Sequence, residues 1–385
     1  MEESISMKGA FIYIDAGKGH FVPAKALYDA MLVKGEEAVL EDFFLIFKAP
    51  FYRWFFRNIW RFYLHHPNFE RFSNKVNDRY WIHGFIRLNR FLPFAYRSFK
   101  AWYEREKPDF IITTNFMTAP ILVALLERMG VKCPVYDYVS DLFDSVKCSI
   151  DNGLRKVYVP TSLGCENVVA MGQKRESVEL CPFPLSLKFH GIERKSKREA
   201  RKLLGLGNMD TVLMNLGGEG IGSPAVLYEI ARRKLEVQVV VIGGKNRETE
   251  RRFKEFQEKY PDFPLFMRGF VEDVPLYIMA SDLQMGKAGA NSLMESLYLS
   301  CPFLISEVLY MARSTPLFFS RHRVGWCEDD TIRKVDIIEE YLKNPEERRR
   351  VEESMEKLPV SFDTMEFVNM LEEETLGFQK ENGKN

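Results

Sequence analysis

Residues 8–27 read KGAFIYIDAGKGHFVPAKAL: an apolar run, a turn with two glycines around a lysine, a histidine, and a segment with helical spacing of Ala24, Ala26 and Leu27 that continues through Ala30, Met31 and Leu32. A second apolar run, AVLEDFF (38–44), follows, so the chain opens on a βαβ unit. Working outward, DFIITTN (109–115) is a short apolar run ending in polar residues, and ILVALLERMG (121–130) is a helix closed by Gly130. CPVYDYVS (133–140) and KVYVP (156–160) read as further strands. Residues 181–197, CPFPLSLKFHGIERKSK, break the rhythm with two prolines, a glycine and a run of charge, and mark the best linker between domains. Beyond them the alternation restarts with TVLMNLGG (211–218), a helix opened by Ser223 and Pro224, VQVVVIGG (237–244), a charged helix over 247–260 and LFMRGF (265–270). Strands alternating with helices imply parallel sheets covered on both faces. The expected fold class is α/β, with two Rossmann-like, doubly wound domains facing each other across a cleft. Residues 1–185 form the first domain, 186–360 the second, and 361–385 a C-terminal helix returning to the first.

Composition narrows the partners. With 54 Lys or Arg against 54 Asp or Glu, the formal charge is zero, and no global field selects a polyanion. The six cysteines (133, 148, 165, 181, 301 and 327) contain no C-x-x-C pair, so neither a zinc site nor a disulfide framework is indicated. The N-terminus MEESISMKGA has no long apolar stretch beyond FIYI, and a cleaved signal peptide is not expected. No segment reaches the roughly 18 uncharged apolar residues of a spanning helix. A membrane, if met, is met at its surface.

Three turns at expected strand-to-helix junctions are rich in glycine: AGKGH (16–20), LGGEGIGS (216–223) and GKAGANS (286–292). Such junctions offer unpaired amides and the positive end of a helix dipole to an anion, although glycines that only permit a tight turn are the plain alternative for any one of them. Neither the Walker pattern nor the G-x-G-x-x-G spacing is present, which counts against ATP and NAD. In GKAGANS, Lys287 and the amides around Gly289 to Ser292 would face a phosphate. Glu295, one helical turn on, could accept two ribose hydroxyls or be a solvated helix residue.

Residues 269–307, GFVEDVPLYIMASDLQMGKAGANSLMESLYLSCPFLISE, resemble the donor-site segment of a group of GT-B glycosyltransferases. That group comprises the monogalactosyldiacylglycerol synthases, the processive diacylglycerol glucosyltransferases and the N-acetylglucosaminyltransferase that makes lipid II. AGKGHFVPAKAL is similar to their G-x-G-H-x-x-A-A-x-A-L loop, and the likeness extends to KPDFIITTNFMTAPILVALLERMG, CPVYDYVSD and LMNLGGEG. The resemblance implies that Glu295 binds the ribose and that Phe270 and Val271 line a uracil pocket. It implies that Gly218, Ser292 and the amides near Gly289 hold the diphosphate, with Lys287 beside them. Gly17, Lys18 and Gly19 would form the acceptor-side phosphate loop, with His20 near the reacting centre and Asp141 as an acceptor-side base. Helix amides and Lys287 can stabilise a departing diphosphate without a metal, in keeping with the lack of a clear Asp-x-Asp motif. No cofactor beyond a UDP-sugar co-substrate is expected. One departure stands out: relatives carry a P-G-Q-E-x-x-N-like segment whose Gln or Glu grips the donor sugar, and this chain has Met311 and Ala312 there.

Residues 43–103 are the other unusual region. These 61 residues hold 22 aromatics and 11 Lys or Arg against Glu70 and Asp78 only, a local net charge of +9. In PFYRWFFRNIWRFYL, Arg53, Arg57 and Arg61 recur at helical spacing with Trp54 and Trp60 around them. Such a helix can lie among lipid headgroups with its arginines on anionic lipid. The aromatics can also build the insert's own core or a dimer contact, and basic-aromatic interleaving suits single-stranded nucleic acid too. Because the resembling diacylglycerol glycosyltransferases carry membrane-binding helices at this place, an anionic membrane surface is the expected partner and nucleic acid is not. The combined expectation is an inverting, metal-independent transferase, peripheral on the cytoplasmic membrane face, moving a hexose from a UDP-sugar to diacylglycerol or a glycolipid. A UDP-sugar epimerase of the same fold and a non-catalytic nucleotide-sugar- and lipid-binding subunit remain as alternatives.

Overall fold

A computed structural model describes residues 6–15, 17–79, 82–84, 87 and 93–383. Of the insert expected over 43–103, residues 80, 81, 85, 86 and 88–92 lie outside the described residues, as does Ala16 of the first glycine turn. The chain divides into two compact units. One runs to His190 and resumes at Val360, and the other spans Gly191–Pro359.

The first unit is built on six parallel strands: β1 (Lys8–Tyr13), β2 (Glu37–Asp42), β3 (Phe110–Thr113), β4 (Val135–Tyr138), β5 (Lys156–Val159) and β6 (Val178–Leu180). Their order is β2-β1-β3-β4-β5-β6. The central strands FIIT and VYDY are buried at every position, because helices cover both faces. On one face Phe11, Phe110, Ile112, Tyr136, Tyr138 and Tyr158 form a single cluster with Ala24, Leu27, Ala30 and Met31 of helix Phe21–Val33. Phe367, Val368 and Leu371 of helix Thr364–Glu381 complete that cluster, so the last segment of the chain closes the core that the first strand opened. The Tyr136 hydroxyl meets Thr375 Oγ1 at 2.9 Å, and Arg155 reaches Glu374 and Glu381 at 2.5 and 2.8 Å, tying the same helix to the strand ends.

The second unit holds β7 (Thr211–Asn215), β8 (Gln238–Ile242), β9 (Leu265–Gly269), β10 (Leu283–Lys287), β11 (Phe303–Glu307) and β12 (Gly325–Cys327), all parallel. Their order, β12-β11-β10-β7-β8-β9, is that of a Rossmann sheet. Each sheet reverses its winding once, between β1 and β3 in the first and between β7 and β10 in the second. At such a point adjacent loops diverge to opposite faces and leave a crevice at the carboxyl ends of the strands.

The insert follows β2. Asp42 accepts from the amides of Phe44 and Leu45 and starts the short helix Phe43–Ile46, after which helices Pro50–His65 and Pro67–Asn77 each begin with proline at the first turn. Phe43, Phe44, Phe47, Phe99 and Trp102 are buried, so part of the aromatic content is core.

Candidate active site

His20 ends the turn that leads from β1 into helix Phe21–Val33 and so lies at the first sheet's reversal point. The turn before it needs glycine at 17, where φ is +82° and an added Cβ would come within 2.6 Å of Trp60 Nε1. Across the reversal, the chain leaving β3 grips the histidine: Nδ1 lies 2.6 Å from the Thr114 carbonyl, and Thr114 Oγ1 donates to the His20 carbonyl at 2.8 Å. Ser140 Oγ, from the loop after β4, lies 2.9 Å from Nδ1, and Asn115 Nδ2 lies 3.1 Å from Nε2. Loss of water around the ring pushes its pKa down to about 4, partly offset by the Thr114 carbonyl, which favours the charged form. The ring is therefore neutral at pH 7. Asp141 adjoins Ser140 and is partly buried. Lys18 and Gly19 are exposed at the tip of the turn.

Asp137, on β4, is buried and its Oδ1 has no hydrogen-bond partner among the described residues. Burial alone pushes its pKa up to about 7.

The insert helix Pro50–His65 leans on this turn. Arg53, expected among the outward arginines, instead reaches Asp15 Oδ2 at 2.9 Å and Asp42 Oδ2 at 3.5 Å. Two carboxylates at the root of the insert outcompete water for the guanidinium. Trp60, expected to face outward, is turned inward over Gly17. Trp54, Arg57 and Arg61 are exposed, as are Phe51, Phe55, Phe62, Phe69 and Phe72.

In the second unit, the turn after β7 is packed backbone to backbone against the turn after β8. A Cβ on Gly220 would lie 1.9 Å from the Gly244 carbonyl oxygen, and one on Gly244 would lie 1.9 Å from that of Gly218. Only glycines admit that approach, and Gly244 N–H donates to Gly217 O at 2.8 Å across it. Asn215 ties this turn to the opposite side of the reversal point: its Oδ1 accepts from Gly217 N–H at 3.0 Å and its Nδ2 lies 3.3 Å from Ser292 Oγ. Helix Ala290–Tyr298 starts at Gly289, which has no side chain to cap the amides of its first turn. Lys287, expected to face a phosphate, pairs with Glu307 at 2.9 Å, so an entering anion would compete with that carboxylate. Glu295 is partly buried one turn into the helix. Phe270, at the end of β9, is 73% exposed and Val271 partly buried beside it. Met311 and Ala312 lie in a single 3₁₀ turn after β11, with Ala312 buried.

The structure thus gathers Gly17, Lys18, Gly19 and His20 with Asp141 in the first unit. Gly218, Lys287, Gly289, Ser292 and Glu295 collect around the reversal point of the second, with Phe270 and Val271 at the end of its outer strand β9. Motif reading passed over Thr114, Asn115, Ser140, Asn215 and the Gly243–Gly244 turn. Their signal is modest but physical: polar or glycine residues directly after an apolar run that ends at the crevice.

Two parallel six-stranded sheets with these orders, one per unit, define a GT-B fold. The chain superposes on Anabaena Alr3699/HepE, solved in complex with UDP and glucose, with a TM-score of 0.59 at 11% identity, covering 96% of this chain and 99% of that one. Residues 223–306 match the glycosyltransferase family 28 C-terminal domain. The processive diacylglycerol beta-glucosyltransferase of Staphylococcus carnosus is 23% identical over 264 residues, 68% of this chain and 66% of its own length. The probable chloroplastic monogalactosyldiacylglycerol synthase 2 of Oryza sativa subsp. indica is 24% identical over 309 residues, 77% of this chain and 65% of its own. The chain therefore spans just under two thirds of the length of these two relatives. The likeness seen in the motifs is borne out in fold and in relatives.

Proposed function

We propose that the protein is a glycosyltransferase that moves a hexose from a UDP-sugar to a membrane lipid such as diacylglycerol or a glycolipid, with inversion and without a metal. The observation that carries this reading is the span of the family 28 match, Ser223 to Ser306. It takes in the uncapped start of helix Ala290–Tyr298 and Glu295 together. Those amides, Ser292, Gly218 and Lys287 stabilise the charge that builds on a departing diphosphate. Glu295 accepts from the ribose, and the exposed ring of Phe270 with Val271 receives the uracil. In the first unit His20 or Asp141 takes the proton of the acceptor hydroxyl.

The lipid acceptor is supported by the names of the relatives and by the insert. Its outer face carries Trp54 at 61%, Phe51 at 65% and Phe72 at 64% exposure beside Arg57, Arg61 and Arg71. Aromatic rings at headgroup depth with arginines on anionic lipid hold a protein on a membrane surface. No helix among the described residues is long and apolar enough to cross a membrane. The cytoplasmic membrane face is the side we propose for it.

The test is UDP release by purified protein on anionic vesicles containing diacylglycerol, with UDP-glucose, UDP-galactose and UDP-N-acetylglucosamine in turn. Release that needs both the lipid and one of the sugars is the expected result. UDP binding without release from any of them would favour a non-catalytic binding subunit, the reading that Met311 and Ala312 support.

A further inference from the structure

Asn115 is the residue, among those described, whose side chain meets the outer nitrogen of His20. We infer that Asn115 is a positioning residue: it holds His20 as the Nδ1–H tautomer, so that Nε2 carries the lone pair that takes the acceptor proton. Only the last clause rests on the transferase reading; the tautomer follows from hydrogen bonding.

Two constraints on opposite sides of the ring agree. On one side, Nδ1 lies 2.6 Å from the Thr114 carbonyl, which can only accept, so Nδ1 must carry hydrogen. Ser140 Oγ, 2.9 Å from the same nitrogen, then accepts a share of that hydrogen. A neutral imidazole has one N–H, which leaves Nε2 bare. On the other side, the orientation of the Asn115 amide is set from outside the ring: its Oδ1 accepts from Met117 N–H at 3.0 Å. Turned over, the amide would press NH₂ against that N–H and its oxygen against the Nε2 lone pair, two repulsions in place of two bonds. In the orientation present, Nδ2–H donates to Nε2 at 3.1 Å, which requires the bare nitrogen that the Thr114 contact independently demands.

Asn115 is itself held in place before any substrate arrives. It is 4% exposed, its N–H meets Thr113 Oγ1 at 3.3 Å, and its carbonyl accepts from Thr118 Oγ1 at 2.7 Å. A donor aimed at Nε2 also opposes protonation, because an imidazolium there would set N–H against N–H. The contact therefore aims the lone pair of a ring that loss of water keeps neutral. For an acceptor hydroxyl to reach Nε2, this 3.1 Å contact must open, and the Nδ1 contacts then keep the ring oriented.

Nitrogen-15 NMR of the His20 imidazole in the intact protein tests this without any assumption about the reaction. In the wild type, Nδ1 should be protonated and Nε2 bare from pH 8 to pH 5, with titration near 4. Asn115→Asp keeps the acceptor for Met117 and puts a carboxylate on Nε2. Its ring should hold both protons at pH 7, with titration moved above the ordinary value of about 6.5. Asn115→Leu, which removes the amide but keeps the ring dry, should leave the titration near 4, so that the shift in Asn115→Asp reads the carboxylate alone. A wild-type ring carrying Nε2–H at pH 7, or an Asn115→Asp titration like that of the wild type, would overturn the assignment. With the lipid-dependent assay in hand, Asn115→Asp should move the acid limb of kcat upward while KM for the UDP-sugar stays put; an unmoved limb would remove the positioning role. If the NMR behaves as expected and no donor and lipid pair turns over, the transferase reading fails and the tautomer assignment stands.

Discussion

Two groups in the first unit set opposite pH dependences of stability. His20 binds a proton less readily folded than unfolded, so between pH 6.5 and about 4 the unfolded chain holds more protons and stability falls as the pH falls. Asp137, at about 7 when folded, does the reverse: from its ordinary 3.8 up to about 7 the folded chain holds the extra proton, and stability falls as the pH rises. Asp137→Asn removes the second dependence. The variant should melt above the wild type at pH 8 and close to it at pH 4, read by thermal unfolding at both; an equal shift at the two values would show that the carboxyl is charged in the fold. At the donor side, Glu295→Ala should weaken UDP binding at least tenfold by calorimetry, through two lost charge-assisted hydrogen bonds of about 1.5–3 kcal/mol each. Unchanged affinity would move the ribose contact elsewhere.

Helix Pro50–His65 has two jobs on two faces. Inward, Arg53 on Asp15 and Asp42 and Trp60 on Gly17 brace the turn that presents His20. Outward, Trp54, Arg57 and Arg61 meet the surroundings. Reversing Arg57 to Glu should weaken partitioning to anionic vesicles several-fold at about 1 kcal/mol per charge. Circular dichroism and melting should stay as in the wild type. Arg53→Glu sets a third carboxylate against two others, so it should lower stability and weaken the hold on the turn before it touches vesicle binding. Helical spacing alone put all three arginines on one stripe, because it fixes their angles about the axis and says nothing of which side the core takes. The glycine turns differ in the same way. Gly220→Ala should destabilise the second unit by about 1–3 kcal/mol, since a Cβ cannot fit 1.9 Å from the Gly244 carbonyl oxygen and φ there is +63°. That Gly244 is the partner depends on β7 and β8 lying side by side.

The C-terminal helix belongs energetically to the first unit. Burying Phe367, Val368 and Leu371 contributes about 1.5–3 kcal/mol each, a sum comparable to the whole net stability of a domain. A chain ending at Pro359 should lose the protease resistance and cooperative melting of the first unit, while the second unit, continuous from Gly191, keeps its own. Retention of both transitions would mean that helix Phe21–Val33 covers the sheet alone.

The alternation of strand and helix and the parallel sheets were legible in the sequence, because strand and helix periods and the chemistry of turns are properties of adjacent residues; the GT-B class was legible through the resemblance of its motifs to a known group. So was the concentration of aromatic and basic residues after β2. What surrounds His20 was not. Thr114, Asn115 and Ser140 are 94, 95 and 120 residues away, and they arrive at its ring because β3 pairs with β1 and β4 with β3. The ion pair that occupies Lys287, the carboxylates that turn Arg53 inward and the buried Asp137 depend likewise on strand order and on which face each helix covers. Those follow from long-range packing, in which every element must bury its apolar side against the others at once.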